Sequence, residues 1–254
     1  MSNKKIVELE KFCPLGNFNN FCERMLEAYK ILGQALLAKR PEVEIPLRNS
    51  DELWEVASAI RYDNPELNVI WNYVDTTYRI VRKPTRNKYM HLFLEYNGSF
   101  QTLQNKLAKI DKIAQEIIEQ TIAGKVLSDT QRIEAIYAYL ASQYTYSERK
   151  KDGEYPKTSY TLECLLKKDA VCAGLASVLT YILKKIQIPV MTVLGESEQE
   201  RHAWNIVQQP DGSYRHIDLT WDVGRKNFHY LALDDLAIRA RKHHWVGLDY
   251  PICA

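Results

Sequence analysis

The chain has 254 residues, 46% of them hydrophobic, and a formal net charge of +2 from 34 basic and 32 acidic side chains. That length suffices for one large domain or for a core with an appended smaller one, and so balanced a charge gives nucleic acid or an anionic membrane no electrostatic hold as main partner. No window approaches a membrane-spanning helix, Glu8 and Glu10 interrupt the apolar run a signal peptide needs, and the five cysteines (Cys13, Cys22, Cys164, Cys172, Cys253) lack metal-ligand spacing; these features lead us to expect reduced thiols and a cytoplasmic protein, or one exported without a cleaved signal.

Residues 1–16 read as a loosely held lead-in. From Asn17 onward, Phe18, Phe21, Met25, Leu26, Tyr29, Leu32, Leu36 and Leu37 mark an amphipathic helix that stops before Pro41. Glu42 to Arg48 reads as a strand, and Ser50-Asp51 cap a helix running to about Tyr62. Asp63-Asn64-Pro65-Glu66-Leu67 then breaks the chain, and Val69 to Arg82 and Lys88 to Tyr96 read as strands joined by a polar loop, Lys83 to Asn87. After Gly98, Leu103, Leu107, Ile110, Ile113, Ala114, Ile117, Ile118 and Ile122 keep helical spacing until Gly124, and Asp129 caps a further helix through Leu140. The long helix bridges two parts, an N-terminal α/β subdomain over 1–97 and a core over 98–254.

Gln143-Tyr144-Thr145-Tyr146 leads into a charged, solvated loop, Ser147 to Thr158, and a short helix, Ser159 to Lys168, that presents Cys164. At Ala170-Val171-Cys172-Ala173-Gly174-Leu175-Ala176-Ser177 the chain turns small and apolar. Leu175, Val178, Leu179, Ile182 and Leu183 then fall at helical spacing, so Cys172 stands at the start of a buried helix. Free backbone N–H groups and the positive end of the helix dipole favour a thiolate there, and Ala173, Gly174 and Ala176 let other backbone come close. Ile188 to Leu194 reads as a buried strand.

Gly195-Glu196 precedes two alternating runs, Arg201 to Val207 and Tyr214 to Trp221, which read as a hairpin around Gln209-Pro210-Asp211-Gly212. His202, Trp204 and Ile206 share one strand face; Tyr214, His216, Asp218 and Thr220 share one on the other strand. His202 opposes Asp218, directly or diagonally, only if the connecting loop holds an odd number of residues or the hairpin carries a bulge. Phe228 to Leu233 adds a further strand, Asp234-Asp235 cap a last short helix, and Arg239 to His244 form a basic tail in which His243-His244 read as a solvated helix end.

In this arrangement Cys172 would attack a carbonyl as thiolate, His202 would take and return the proton, and Asp218 would fix the imidazole tautomer and stabilise its charged form. His216 is the rival base, favoured instead for packing beside the site. Trp204 and Trp221 either wall a cleft or pack the core. An oxyanion needs two donors: the Cys172 N–H is one, and Tyr146 or Gln143 is the candidate for the second.

Val-Cys-Ala-Gly-Leu-Ala, then Gly-Glu and His-Ala-Trp-Asn, then His-Ile-Asp-Leu-Thr-Trp-Asp, taken in this order, resemble the bacterial transglutaminase-like superfamily. The resemblance implies an α+β, papain-like core in which a helix bearing the cysteine packs on an antiparallel sheet bearing the histidine and aspartate. It implies Cys172 as nucleophile, His202 as base and Asp218 as third member, with Asp222 closing the motif outside the triad. The segments around Pro65-Glu66-Leu67 and Gln143 to Tyr146 also resemble those preceding the core in such proteins. Ala170 and Leu175 depart from the common glycine and aromatic residue, which bears on substrate fit rather than on the triad. The implied activity is acyl transfer on an amide carbonyl of a protein or peptide substrate, chiefly hydrolysis as a protease or deamidase, with no metal and no organic cofactor. The alternatives are a crosslinking transglutaminase and a non-catalytic binding module that retains the fold.

Overall fold

The computed structural model describes residues 21–82, 88–150, 153–245 and 250–254; the lead-in over 1–16, Asn17 and Phe18 of the first expected helix, Cys13, the Lys83 to Asn87 loop, and Lys151 and Asp152 lie outside them. Helix α1, Glu23–Leu37, buries Met25, Ala28, Tyr29, Leu32, Ala35 and Leu36 along one stripe. Strand β1, Glu42–Ile45, stops before Pro46, short of the expected Arg48. Helix α2, Ser50–Asp63, is capped by Asn49, whose side chain accepts the Glu52 N–H at 2.9 Å. Pro65 then begins a helix, α3, Pro65–Ile70, because a first-turn position needs no N–H. Val69 and Ile70 are therefore helical rather than extended, and strand β2 is confined to Thr77–Arg82. It pairs with β3, Lys88–Phe93, which also pairs with β1. This sheet shares an apolar core with α1 and α2.

Helix α4, Phe100–Thr121, joins that core to the next: Leu103 lies in the first, Ile110, Ala114 and Ile117 in the second, and Leu107 packs against both. Helix α5, Asp129–Gln143, starts in a capping box of Ser128 and Gln131. The short parallel strands β4, Thr145–Tyr146, and β5, Asp169–Ala170, bring Tyr146 beside the start of helix α6, Cys172–Lys185. Between β4 and β5 the expected short helix is two 3₁₀ turns, Lys157–Tyr160 and Leu162–Leu166, split at Thr161, whose extended backbone and hydroxyl cap the second.

Strands β6, Val190–Ser197, β7, Glu200–Gln208, and β8, Tyr214–Ile217, run antiparallel, and β9, His243–His244, joins the free edge of β6. Phe228 to Leu233 does not form the expected strand. The Asp222 carboxylate takes the His229 and Tyr230 N–H groups, the Tyr230 carbonyl takes the Asp218 N–H, and Ala232 turns left-handed at φ 60°. A bridge between His216 and Leu233 is what remains of the pairing. Helix α7, Asp235–Ala240, capped by Asp234, returns the chain to β9.

The fold is thus α+β, with α6 packed on antiparallel β6 and β7. Helix α6 comes so close to its neighbours that a Cβ on Gly174 would lie 2.1 Å from the Ser159 carbonyl oxygen, which itself accepts the Val171 N–H at 3.0 Å. Overpacking costs about 1–3 kcal/mol. Gly174→Ala is expected to lose about that much stability in denaturant unfolding; an unchanged midpoint would show that the Ser159 segment yields freely.

Candidate active site

Cys172 is half-buried and opens α6 directly after Val171, whose backbone is extended. On β7, His202 places Nε2 at 2.6 Å from Oδ2 of Asp218. That engagement leaves Nδ1 free to serve the Cys172 thiol, which lies near enough to the imidazole to help raise its pKa. The β7–β8 ladder pairs Gln208 with Tyr214 and Ile206 with His216, so five residues, 209–213, form the connection and no bulge is needed. With that odd loop the even-numbered residues of both strands share a face, and Asp218, one step past β8, stands diagonal to His202.

Asp218 is almost wholly buried. Its Oδ1 accepts the Thr220 N–H at 3.0 Å, and its Oδ2 faces Nε2 of His202 at 2.6 Å and Nε2 of His243 at 2.8 Å. Burial alone would raise its pKa, yet His202 and then His243 outweigh that and hold it down at about 2. Burial likewise opposes charge on His202, but the Asp218 carboxylate, followed by the Cys172 thiol, lifts it from 6.5 to about 10.

Trp204 is buried and stacks on His202 at 5.8 Å between ring centroids. Its indole N–H donates to Nδ1 of His216 at 2.9 Å. An indole nitrogen only donates, so His216 carries its proton on Nε2, which faces Asp235 Oδ1 at 2.9 Å. Burial, against the pull of Asp235, holds the His216 pKa below its ordinary value. Trp221 lies 6.3 Å from His202 and its buried Nε1 has no acceptor. The Tyr146 hydroxyl lies near Cys172, and burial, followed by the charge of that thiol, pushes its pKa up, so it stays protonated. Gln143 turns away, its Oε1 accepting from Lys168 Nζ at 3.4 Å. Asp222 stands apart, accepting from the Tyr137 hydroxyl at 2.8 Å. Cys164 is buried in the core, and burial pushes its thiol pKa up.

Three residues have roles at the site that the sequence did not announce. His243, expected in a solvated tail, is fully buried against Asp218, because β9 pairs with β6 and turns it inward. Asn205 donates to the Ala176 carbonyl at 3.2 Å and to Thr180 Oγ1 at 3.0 Å, tying α6 to β7. Tyr62 of α2 packs on Ala173, Ala176 and Ala203, and its pKa is raised by burial and by the nearby Cys172 thiol. Gly195 offered a signal for the first: a Cβ there would lie 2.3 Å from the His244 carbonyl oxygen, so glycine is what admits β9. Asn205 closes the His-Ala-Trp-Asn block without its role being legible there, and Tyr62 depends on tertiary packing that no local pattern encodes.

Two groups, His202–Asp218–His243 and His216–Asp235–Cys253, hold potential metal ligands among the described residues. Coordination through Nε2 of His216 would require an imidazolate, since Nδ1 already accepts a proton from Trp204. In the first group both nitrogens sit 2.6 and 2.8 Å from one oxygen, closer than the roughly 3.3 Å between tetrahedral ligands about 2.0–2.1 Å from zinc. Both groups are hydrogen-bonded networks.

Residues 111–219 match the family model of the transglutaminase-like superfamily. Among solved structures, the chain is similar to a TGase crystal structure, with TM-score 0.41 and 13% identity over 70% of this chain and 51% of that one. It is also similar to a candidate cysteine protease from Cytophaga hutchinsonii, with TM-score 0.36 and 10% identity over 61% and 68% of the two chains. A third is the periplasmic domain of TgpA from Pseudomonas aeruginosa, with TM-score 0.32 and 16% identity over 62% and 67%. The chain spans about half the length of the first of these. No curated protein matches it in sequence. Residues 111–219, the segment that holds Cys172, His202 and Asp218, are thus similar to the transglutaminase-like superfamily.

Proposed function

We propose that the protein transfers acyl groups from an amide of a protein or peptide through Cys172, His202 and Asp218, with water as the principal acceptor, as a protease or deamidase. The observation that carries this is the engagement of His202 Nε2 by the buried Asp218 carboxylate, which leaves Nδ1 to serve the neighbouring Cys172 thiol. The thiolate adds to the carbonyl carbon, His202 protonates the departing amine, and a thioester forms at Cys172. Water then attacks the thioester as His202 takes its proton, and the sulfur leaves as thiolate. The Cys172 N–H and the Tyr146 hydroxyl are the donors proposed for the oxyanion. The indole N–H of Trp221, buried without an acceptor, is offered to the substrate, and Trp204 buttresses the His202 ring.

No helix among the described residues is long and apolar enough to cross a membrane. A free thiol at the reacting position suits a reducing, cytoplasmic setting.

Iodoacetamide labelling read by mass spectrometry tests this directly. Cys172 is expected to react at least tenfold faster than Cys22, which is the more exposed of the two, and to lose that advantage in His202→Ala. Equal rates at the two cysteines would leave a binding module as the better reading.

The histidine also sets a pH dependence of stability. Its folded pKa, near 10, lies above the ordinary 6.5, so its stabilising contribution is complete below about 6.5 and is lost as pH rises towards 10. The Tm difference between wild type and His202→Gln should accordingly shrink across that window; a gap constant from pH 6.5 to 10 would contradict a charged His202.

A further inference from the structure

His243 belongs to none of the sequence blocks that point to the site, yet it is completely buried and shares Asp218 with His202. Both of its ring nitrogens face acceptors: Nδ1 lies 3.0 Å from the Arg241 carbonyl oxygen, and Nε2 lies 2.8 Å from Oδ2 of Asp218. A carbonyl only accepts, and so does an ionised carboxylate. A neutral imidazole has a single N–H and would leave one of these contacts as two facing lone pairs. We propose that His243 is a positioning residue for the acyl-transfer site, an imidazolium that shares the Oδ2 of Asp218 with His202 and extends the triad to Cys172–His202–Asp218–His243.

The surroundings are built to admit it. Gly195 leaves room for the backbone of β9 and for the Trp204 ring, since a Cβ there would lie 2.3 Å from the His244 carbonyl oxygen and 2.8 Å from Trp204 Cη2. The His243 ring lies edge-on to Trp204 at 5.1 Å and to His202 at 5.3 Å, and it faces Tyr230 at 5.7 Å. Asp218, His202 and Tyr230 are thus the titratable groups around it, with His216 behind Trp204 and Arg241 lying over Tyr230. Asp218 is the anion among them.

Charge balance gives the position its purpose. A thiolate on Cys172, an imidazolium on His202 and a carboxylate on Asp218 leave one uncompensated negative charge in a buried site, and a second imidazolium cancels it. By drawing on the same oxygen, His243 also lessens the stabilisation that Asp218 gives the His202 imidazolium. That eases release of its Nδ1 proton to the leaving amine.

This inference rests on the proposed acyl-transfer reading for its purpose, but not for its proton count. Nitrogen-15 NMR of the wild-type protein, labelled at histidine and titrated from about pH 5 to about 9, reads the ring directly. His243 is expected to show protons on both nitrogens throughout, both protected from exchange; a bare nitrogen at neutral pH overturns the proposal. In His243→Gln the amide keeps a donor to Asp218 but removes the charge. With that compensating charge gone, the pH profile of Cys172 alkylation should move up by about one unit, with the His202 requirement retained, and a profile superposing on wild type also overturns the positioning role. Failure of the acyl-transfer reading looks different, because Cys172 in wild-type protein would then label no faster than Cys22, whatever the state of His243.

Discussion

The site hangs on one carboxylate taken out of water. Burying an ionised side chain costs several kcal/mol unless partners replace its hydration, and Asp218 has three: the Thr220 N–H on Oδ1 and two imidazoles on Oδ2. Each partner is delivered by a different piece of chain. Thr220 comes from the 3₁₀ turn that Asp218 itself caps, His202 from β7 and His243 from β9. The backbone around the carboxylate is fixed as firmly, with the Asp218 N–H on the Tyr230 carbonyl and its own carbonyl on the Tyr137 hydroxyl. Sheet, turn and α5 therefore meet at one residue, and a shift in any of them would strand a buried charge.

Bringing Cys172 to that point is a matter of close backbone approach. Helix α6 is held on one side by Gly174, which lies against the Ser159 carbonyl, and on the other by Asn205, whose amide reaches the Ala176 carbonyl across the helix–strand contact. Ala173, Ala176 and Ala203 fill the space between with the smallest side chains that still exclude water. The same logic recurs at the edge of β6, where Gly195 faces His202 in register and leaves its outer side to the β9 backbone. Two glycines thus set the spacing on either side of His202: one positions its thiol partner, the other admits the second histidine.

What the sequence made legible follows from which forces are local. Helical spacing located α1, α4, α5 and α6 to within a few residues, because each carries a continuous apolar stripe. Strand parity turned the separation of His202 and Asp218 into a statement about loop length, and the five residues between β7 and β8 satisfy it. The failures lie where a distant group outbid local preference. Phe228 to Leu233 has a strand's composition, but Asp222 removes two of its N–H groups from any ladder. Val69 and Ile70 are β-branched, yet Pro65 starts a helix whose next turn buries them, one in each core. His243 sits in a run of basic residues, and only the alternation of side chains along β9, fixed by its pairing with β6, turns it inward while its neighbour His244 is exposed.

His202, His216 and His243 show how one side chain type acquires three functions from its partners alone. His216 lies between a donor, the Trp204 indole, and an acceptor, Asp235, and this fixes it as a neutral tautomer. His243 lies between two acceptors, and this fixes it as a cation. His202 has an acceptor on Nε2, and its remaining nitrogen, Nδ1, is left to a neighbouring thiol that can itself give or take a proton. Among the three, His202 alone can change protonation state without orphaning a buried partner. General-base capacity in this sheet is thus assigned by what faces each nitrogen, and it falls to the one imidazole whose neighbour is the candidate nucleophile.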